Sequence, residues 1–248
     1  MEKIVIPELE GYFGCKGAAG VFQNIINRIP PHETLIIPFL GYCAIYRNMR
    51  PAREAHLNDL DPKVADLWRR SPAIKGFGGN ASVYNYDYAA FLSIIQKSGY
   101  DKQSAVIYMD PPYMHDVRAS AKDRYNFELS PFDHLHMLSC ARRFKKARVL
   151  ISCYDNDVYA RELDGWSKVQ FPAMTRGGVT TETLYFNYDP PNELHDYRYY
   201  GANYRERENN RLKRKRLLAK FEAMSAADRH YYFDALREDF PEHMEPAN

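Results

Sequence analysis

The chain has 248 residues, 45% of them hydrophobic and 27% charged, with a formal net charge of +2. That composition belongs to a water-exposed globular fold, long enough for one sizeable α/β domain and an appendage. No apolar stretch approaches membrane-spanning length, and Met1–Pro7 lacks the apolar core of a signal peptide, so a cytoplasmic protein of a bacterial or phage-infected cell, with no membrane partner, is the expectation. Cys15, Cys43, Cys140 and Cys153 are scattered without paired spacing, which argues against a disulfide framework or structural zinc. His134 and His136 stand two apart, wrong for one helical face, and read as surface or loop residues; no metal is implied.

In chain order, Leu35–Phe39 reads as a first buried strand, followed by Gly41 and a helix over Ala44–Met49. Glu54–Asp59 reads as a second strand, and Asp61-Pro62 opens a helix through Trp68, with proline at its first position. Ser82–Asp87 predicts a third strand and Tyr88–Lys97 a helix; Ala105–Met109 is a fourth strand. Ser130-Pro131 starts a helix to about residue 144, and Arg148–Ser152 is a fifth strand. Trp166–Ala173 and Thr181–Tyr188 flank turn glycines as a hairpin. Alternating β and α segments closed by a hairpin predict a Rossmann-like α/β sheet, mostly parallel with a C-terminal antiparallel hairpin, over residues 1–190.

After Asp189-Pro190-Pro191 the character changes to an α-helical tail, 191–248. Leu217, Phe221 and Met224 recur at helical spacing, and Ser225-Ala226-Ala227-Asp228 is a capping signal for a last helix through Leu236. Between Arg205 and Lys220 stand eight basic and two acidic residues, a local charge of +6 on a body of −4. Such a block is an electrostatic footprint for a polyanion, with a solvated helix face as the alternative.

Asp110-Pro111-Pro112-Tyr113 directly follows the fourth strand. The two prolines fix φ and lack N–H groups, so their carbonyls need outside donors. With the Asp110 carboxylate and the Tyr113 ring they can grip a planar amine: two acceptors for its N–H bonds and a face to stack upon. The other strands end at Pro38–Gly41, Asn58-Asp59 and Asp87, and ligands of doubly wound sheets bind outside such carboxyl ends. A glycine turn followed by a carboxylate suits a nucleoside: the carboxylate takes ribose hydroxyls, and a further polar residue holds the adenine edge.

Tyr12-Phe13-Gly14-Cys15-Lys16, Pro38-Phe39-Leu40-Gly41, Asn58-Asp59-Leu60-Asp61, Asp110-Pro111-Pro112-Tyr113 and Thr181–Tyr188, in this order, resemble the Dam-type DNA adenine-N6 methyltransferases, most of all the compact versions carried by phages and mobile elements. The resemblance covers roughly residues 10–225, basic tail included. It implies S-adenosylmethionine as cofactor, with Tyr12 and Lys16 at its methionine part, Pro38, Phe39 and Gly41 in the cofactor loop, Asp59 on the ribose and Asp87 near the cofactor adenine. Asp110 and the Pro111 carbonyl would hold the target amine, with Pro112 and Tyr113 completing the motif and Tyr113 stacking on an adenine flipped from double-stranded DNA. Arg118, Lys122 and Arg124 in the loop 114–130, and Arg211, Lys213, Arg214, Lys215 and Arg216 in the tail, would meet the nucleic acid.

Two departures from that family stand out: Ile37 replaces the usual glutamate before Pro38-Phe39, and Tyr42-Cys43 follow Gly41 where glycine or serine is common. They keep open a catalytically silent nucleic-acid-binding module, beside an RNA base-amine methyltransferase. Between Asp59 and Asp110 only a stretch of about residues 70–81 is left for a recognition insert, so a short or relaxed target site is expected.

Overall fold

The computed structural model describes residues 6–9, 16–18, 20–71, 74, 80–114, 126–175 and 178–243. The chain divides into two compact units, residues 1–196 and 197–248. In the first, strands β1 (Thr34–Ile37), β2 (Glu54–Asn58), β3 (Asn80–Tyr84), β4 (Ala105–Met109), β5 (Arg148–Cys153), β6 (Ser167–Thr175) and β7 (Gly178–Phe186) form one sheet in the order β3-β2-β1-β4-β5-β7-β6. The first five run parallel, and β7 is antiparallel to both β5 and β6. This is the Rossmann-like sheet with a terminal antiparallel hairpin that the alternation predicts.

The sequence explains the layering. β1, β4 and β5 are short apolar runs whose residues are almost all buried, as strands covered on both faces must be. β3, Asn-Ala-Ser-Val-Tyr, is partly exposed and forms one edge. Helix α1 (Val21–Ile26) precedes β1, and α2 (Ala44–Asn48), α3 (Pro62–Arg70), α4 (Tyr88–Lys97), α5 (Pro131–Ala141) and α6 (Asp157–Glu162) lie between strands. Asp61, Asp87, Ser130 and Asn156 cap α3, α4, α5 and α6 through their side chains. Phe91, Leu92 and Ile95 of α4 and Met137 and Leu138 of α5 pack with Ile107 and Val149 of the sheet in one cluster of the core. Each such fully buried side chain contributes about 1.5–3 kcal/mol.

The six-residue helices α1 and α6 lie where no helix was expected, and β3 begins at Asn80 instead of Ser82. His134 is not a surface residue: it sits in α5 with 0% exposure, its Nδ1 2.8 Å from the Tyr159 hydroxyl of α6. Of the stretch proposed for recognition, Arg70 ends α3 and Asn80 and Ala81 open β3, while residues 72–73 and 75–79 lie outside the described residues.

The second unit contains α7 (Tyr204–Ala223) and α8 (Ala226–Asp239), capped by Asn203 and Ser225. Phe221 stacks on Phe233 with ring centroids 5.5 Å apart. Neither helix buries a residue.

In the first unit, the segment before residue 197 is fastened to the amino-terminal side of the sheet by two histidines. His32 and His195 stack with centroids 3.9 Å apart; Nδ1–H of His32 donates to the Pro30 carbonyl at 2.9 Å and Nε2–H of His195 to the Arg50 carbonyl at 3.0 Å. Burial, the neighbouring ring and Arg148 push His32 down to about 3, and burial lowers His195 as well. Below the ordinary histidine value near 6.5 the unfolded chain therefore binds protons that the folded chain refuses, so stability falls as pH drops from about 6.5 toward 3. We expect urea midpoints to decline over that window and the decline to be shallower in His32→Phe, which keeps the stack and removes the titration. Parallel pH curves for the two proteins would contradict this role.

Candidate functional site

β1 and β4 are neighbours reached by crossovers in opposite directions, so the loops after them part and leave a crevice at the carboxyl edge. The crevice is open to solvent and is lined by the 38–43 loop after β1, residues 58–61 after β2, Tyr86 and Tyr88 around the start of α4, and Asp110 and Pro112 after β4. Lys16 and the segment with Asn126, Phe127 and Leu129 complete the wall.

Two consecutive polar residues hold three of these loops in register. The Asn58 amide donates to the Pro38 and Tyr86 carbonyls, each at 3.0 Å, and its oxygen accepts from the Tyr86 N–H at 2.9 Å. Asp59 accepts the Gly41 N–H at 2.7 Å and the Asp61 N–H at 2.9 Å. Gly41 has φ +45°, a left-handed turn that suits glycine, and its carbonyl accepts from the Trp68 indole at 2.7 Å. Burial pushes the Asp59 carboxyl up to about 6, against the backbone N–H groups of Gly41, Asp61 and Leu40 that hold it down. A carboxylate offers about four lone-pair positions, so this one retains capacity for hydroxyl donors after serving the loop.

Across the crevice, four side chains from distant parts of the chain converge. Lys16 Nζ lies 3.1 Å from Asp110 Oδ1 and 3.4 Å from Glu182 Oε1, and donates to the Tyr113 hydroxyl. The Tyr113 hydroxyl donates in turn to Glu182 Oε1, and the lysine ammonium sits 4.3 Å from the Tyr113 ring centroid. Glu182 comes from β7, beside Thr183, which pairs with the last residue of β5; the strand pairing thus delivers it to the carboxyl edge. Side-chain exposures of 10% for Lys16, 18% for Asp110 and 3% for Glu182 mark a nearly dry cluster. Burial raises both carboxyls, with Lys16 opposing it, and burial together with both carboxylates pushes the Tyr113 phenol well above its usual range.

The residues read from the sequence are placed as follows. Lys16, Pro38, Phe39, Gly41, Asp59, Asp110 and Pro112 share the crevice wall. Pro111 is buried and is not part of the crevice lining. Tyr113 does not present an open face: it is 7% exposed, covered by Lys16, and meets the Tyr154 ring edge at 4.5 Å. Asp87 is exposed and caps α4 through the Ala89 N–H at 2.8 Å, without reaching the crevice lining. Ile37 belongs to the core at 0% exposure. The Tyr42 ring packs under the Arg47 guanidinium at 3.6 Å, its hydroxyl accepting from the Ile6 N–H. Tyr12, Arg118, Lys122 and Arg124 lie outside the described residues. Arg211, Lys213, Arg214, Lys215 and Arg216 are exposed on α7, where Arg211 pairs with Glu208 at 2.8 Å. Glu182 was not singled out from the sequence; only its place between strand-forming threonines and the apolar end of β7 sets it apart. Among the described residues no group of three or more His, Cys, Asp or Glu is arranged to hold a metal ion, and no helix is long and apolar enough to cross a membrane.

No family model matches the sequence, and no curated protein matches it. Solved structures do overlap its fold. A Streptococcus mutans protein described as a methyltransferase, solved in complex with SAH, is 10% identical over 66% of this chain and 93% of its own, with a TM-score of 0.46. A SAM-dependent methyltransferase from Agrobacterium tumefaciens is 14% identical over 68% of this chain and 60% of its own, at 0.40. Precorrin 8W decarboxylase from Methanobacterium thermoautotrophicum is 9% identical over 66% of this chain and 86% of its own, also at 0.40.

Proposed function

We propose that this chain transfers a methyl group from S-adenosylmethionine to the exocyclic N6 amine of adenine in double-stranded DNA. The observation that carries the reading is the meeting, in one crevice, of Asp110 and Pro112 after β4 with the Gly41–Asp59 cradle after β1 and β2. The crevice fits the cofactor: Asp59 keeps acceptor capacity for ribose hydroxyls, and Lys16, held by Asp110 and Glu182, places an ammonium group on the wall. Phe39 and Gly41 would border the nucleoside, and Lys16 its amino-acid part. Ile37 removes one carboxylate from this wall, and Tyr42 is engaged in packing against Arg47; neither fills the crevice.

When bound, S-adenosylmethionine supplies a methyl group on a positively charged sulfur. Asp110 and the Pro111 carbonyl oxygen accept the two N–H bonds of the adenine amine and draw its lone pair out of conjugation with the ring. As the nitrogen takes the methyl and with it a positive charge, Asp110 stabilises that charge, an effect larger in the transition state than in the ground state. The same carboxylate then accepts the proton the nitrogen must lose. Extrusion of the base costs a few kcal/mol of unpairing. With Tyr113 held in the polar cluster, its ring supports Lys16 and Glu182 in this resting arrangement.

Asp110→Ala is expected to abolish methyl transfer while leaving duplex affinity within about twofold, because the deleted carboxylate faces the amine and not the phosphates. A fall in affinity parallel to the fall in turnover would contradict this. The defining experiment is expression in a methylation-free host with long-read mapping of N6-methyladenine. We expect modification at sites of one to three fixed bases, since α3, β3, α4 and β4 occupy more than half of the 50 residues between Asp59 and Asp110. Confinement to a longer site would overturn that expectation, and modification of structured RNA alone would move the substrate to RNA.

The exposed basic residues of α7 supply sequence-independent affinity. Replacing Lys213, Arg214, Lys215 and Arg216 together by glutamine should weaken duplex binding and lower the log–log salt slope by about 0.9 for each phosphate that the variant no longer neutralises. An unchanged slope would mean that this helix is a solvated element only.

A further inference from the structure

We propose that Glu182 sets the charge of the crevice wall: by neutralising Lys16 it leaves the negative charge of Asp110 available, so that the site prefers a ligand with a positive sulfur over the same ligand with a neutral one. The inference rests on the cofactor reading above and concerns a residue outside the Asp-Pro-Pro-Tyr motif.

Lys16 lies between Asp110 and Glu182 at 3.1 and 3.4 Å, among the described residues one cation for two carboxylates. Were Glu182 absent, the lysine would cancel Asp110, and the wall facing the amine would carry no net charge. With it, the ionised cluster, counted over the described residues, carries one negative charge in excess. Another charged pair, Lys168 with Asp155 at 2.8 Å, is more exposed and neutralises itself. Tyr113 and Tyr108 contribute hydroxyl dipoles without charge, Tyr113 on Glu182 and Tyr108 on Ser152. Burial makes the excess charge costly by itself, so the second carboxyl ionises most readily when another cation occupies the crevice. The sulfonium of the cofactor, and later the nitrogen that receives its methyl, are cations of that kind. Glu182 is thus a positioning residue: it holds Lys16 and Tyr113 and acts on the reacting atoms through the field they leave.

The test is calorimetric titration of the full chain with S-adenosylmethionine and, separately, with S-adenosylhomocysteine, which lacks the methyl and the charge. Glu182→Gln preserves shape and removes one charge. It should lose affinity for S-adenosylmethionine on the order of tenfold while its affinity for S-adenosylhomocysteine stays within about twofold of wild type. Equal changes for both ligands, or none, overturn the proposal. Lys16→Met, which keeps both carboxylates and removes the cation, should retain or increase the preference for the charged ligand, and a fall in that preference also overturns it. If the wild type binds neither ligand, the cofactor reading itself fails and the proposal falls with it, an outcome recognisable before any variant is made.

Discussion

Asn58 and Asp59, at the end of one central strand, fasten the loops that follow three strands. Two amide hydrogens and one amide oxygen join the loop after β1 to the loop after β3, and the next carboxylate clamps the glycine turn and the start of α3. Remove these bonds and the sheet would survive, because its apolar layers are elsewhere, but the crevice would have no fixed floor. Backbone groups at strand ends have no ladder partner, so buried side chains that satisfy them decide the shape of the edge. The floor of this site is therefore a hydrogen-bonding solution to a problem that every parallel sheet creates.

The opposite wall follows a different logic. It depends on residues remote in sequence meeting after the sheet has formed, with Lys16 arriving from before β1, Asp110 and Tyr113 from after β4, and Glu182 from the returning strand β7. Hydrogen bonding fixes the floor and electrostatics fixes the wall. A ligand lying between them would meet rigid acceptors on one side and, on the other, a cluster whose protonation responds to what it binds.

Much of the fold was legible in the sequence because its signals are local. The apolar runs of β1, β4 and β5, the Asp-Pro start of α3 and the Ser-Pro start of α5 declare themselves within a few residues. The six-residue α1 gave no such signal: Gly20 precedes it at φ +91° without a side-chain cap. α6 carries an Asn156 cap but is too short for its periodicity to show. His134 looked like a surface histidine because nothing near it in sequence reveals that Tyr159 will cover it. The strand-end residues of the crevice could be proposed because parallel sheets bind ligands at that edge. Glu182 escaped notice for the converse reason: a lone glutamate in a Thr-rich strand reads as a solvent-facing position, and its burial is decided by packing against residues 16 and 113.

α7 has a consequence of its own. It runs for 20 residues, about 30 Å, without burying one, and its four consecutive basic side chains at 213–216 fan around the axis instead of lining one face. Like charges three and four positions apart repel, and packing contributes little to offset them. The helix content of this segment is then a function of its ionic surroundings: counterions or a phosphate chain quiet the repulsion and lengthen the helix, while dilute salt lets its ends fray. The segment behaves less as a rigid arm than as a polyelectrolyte whose stiffness is lent to it by whatever anion it meets.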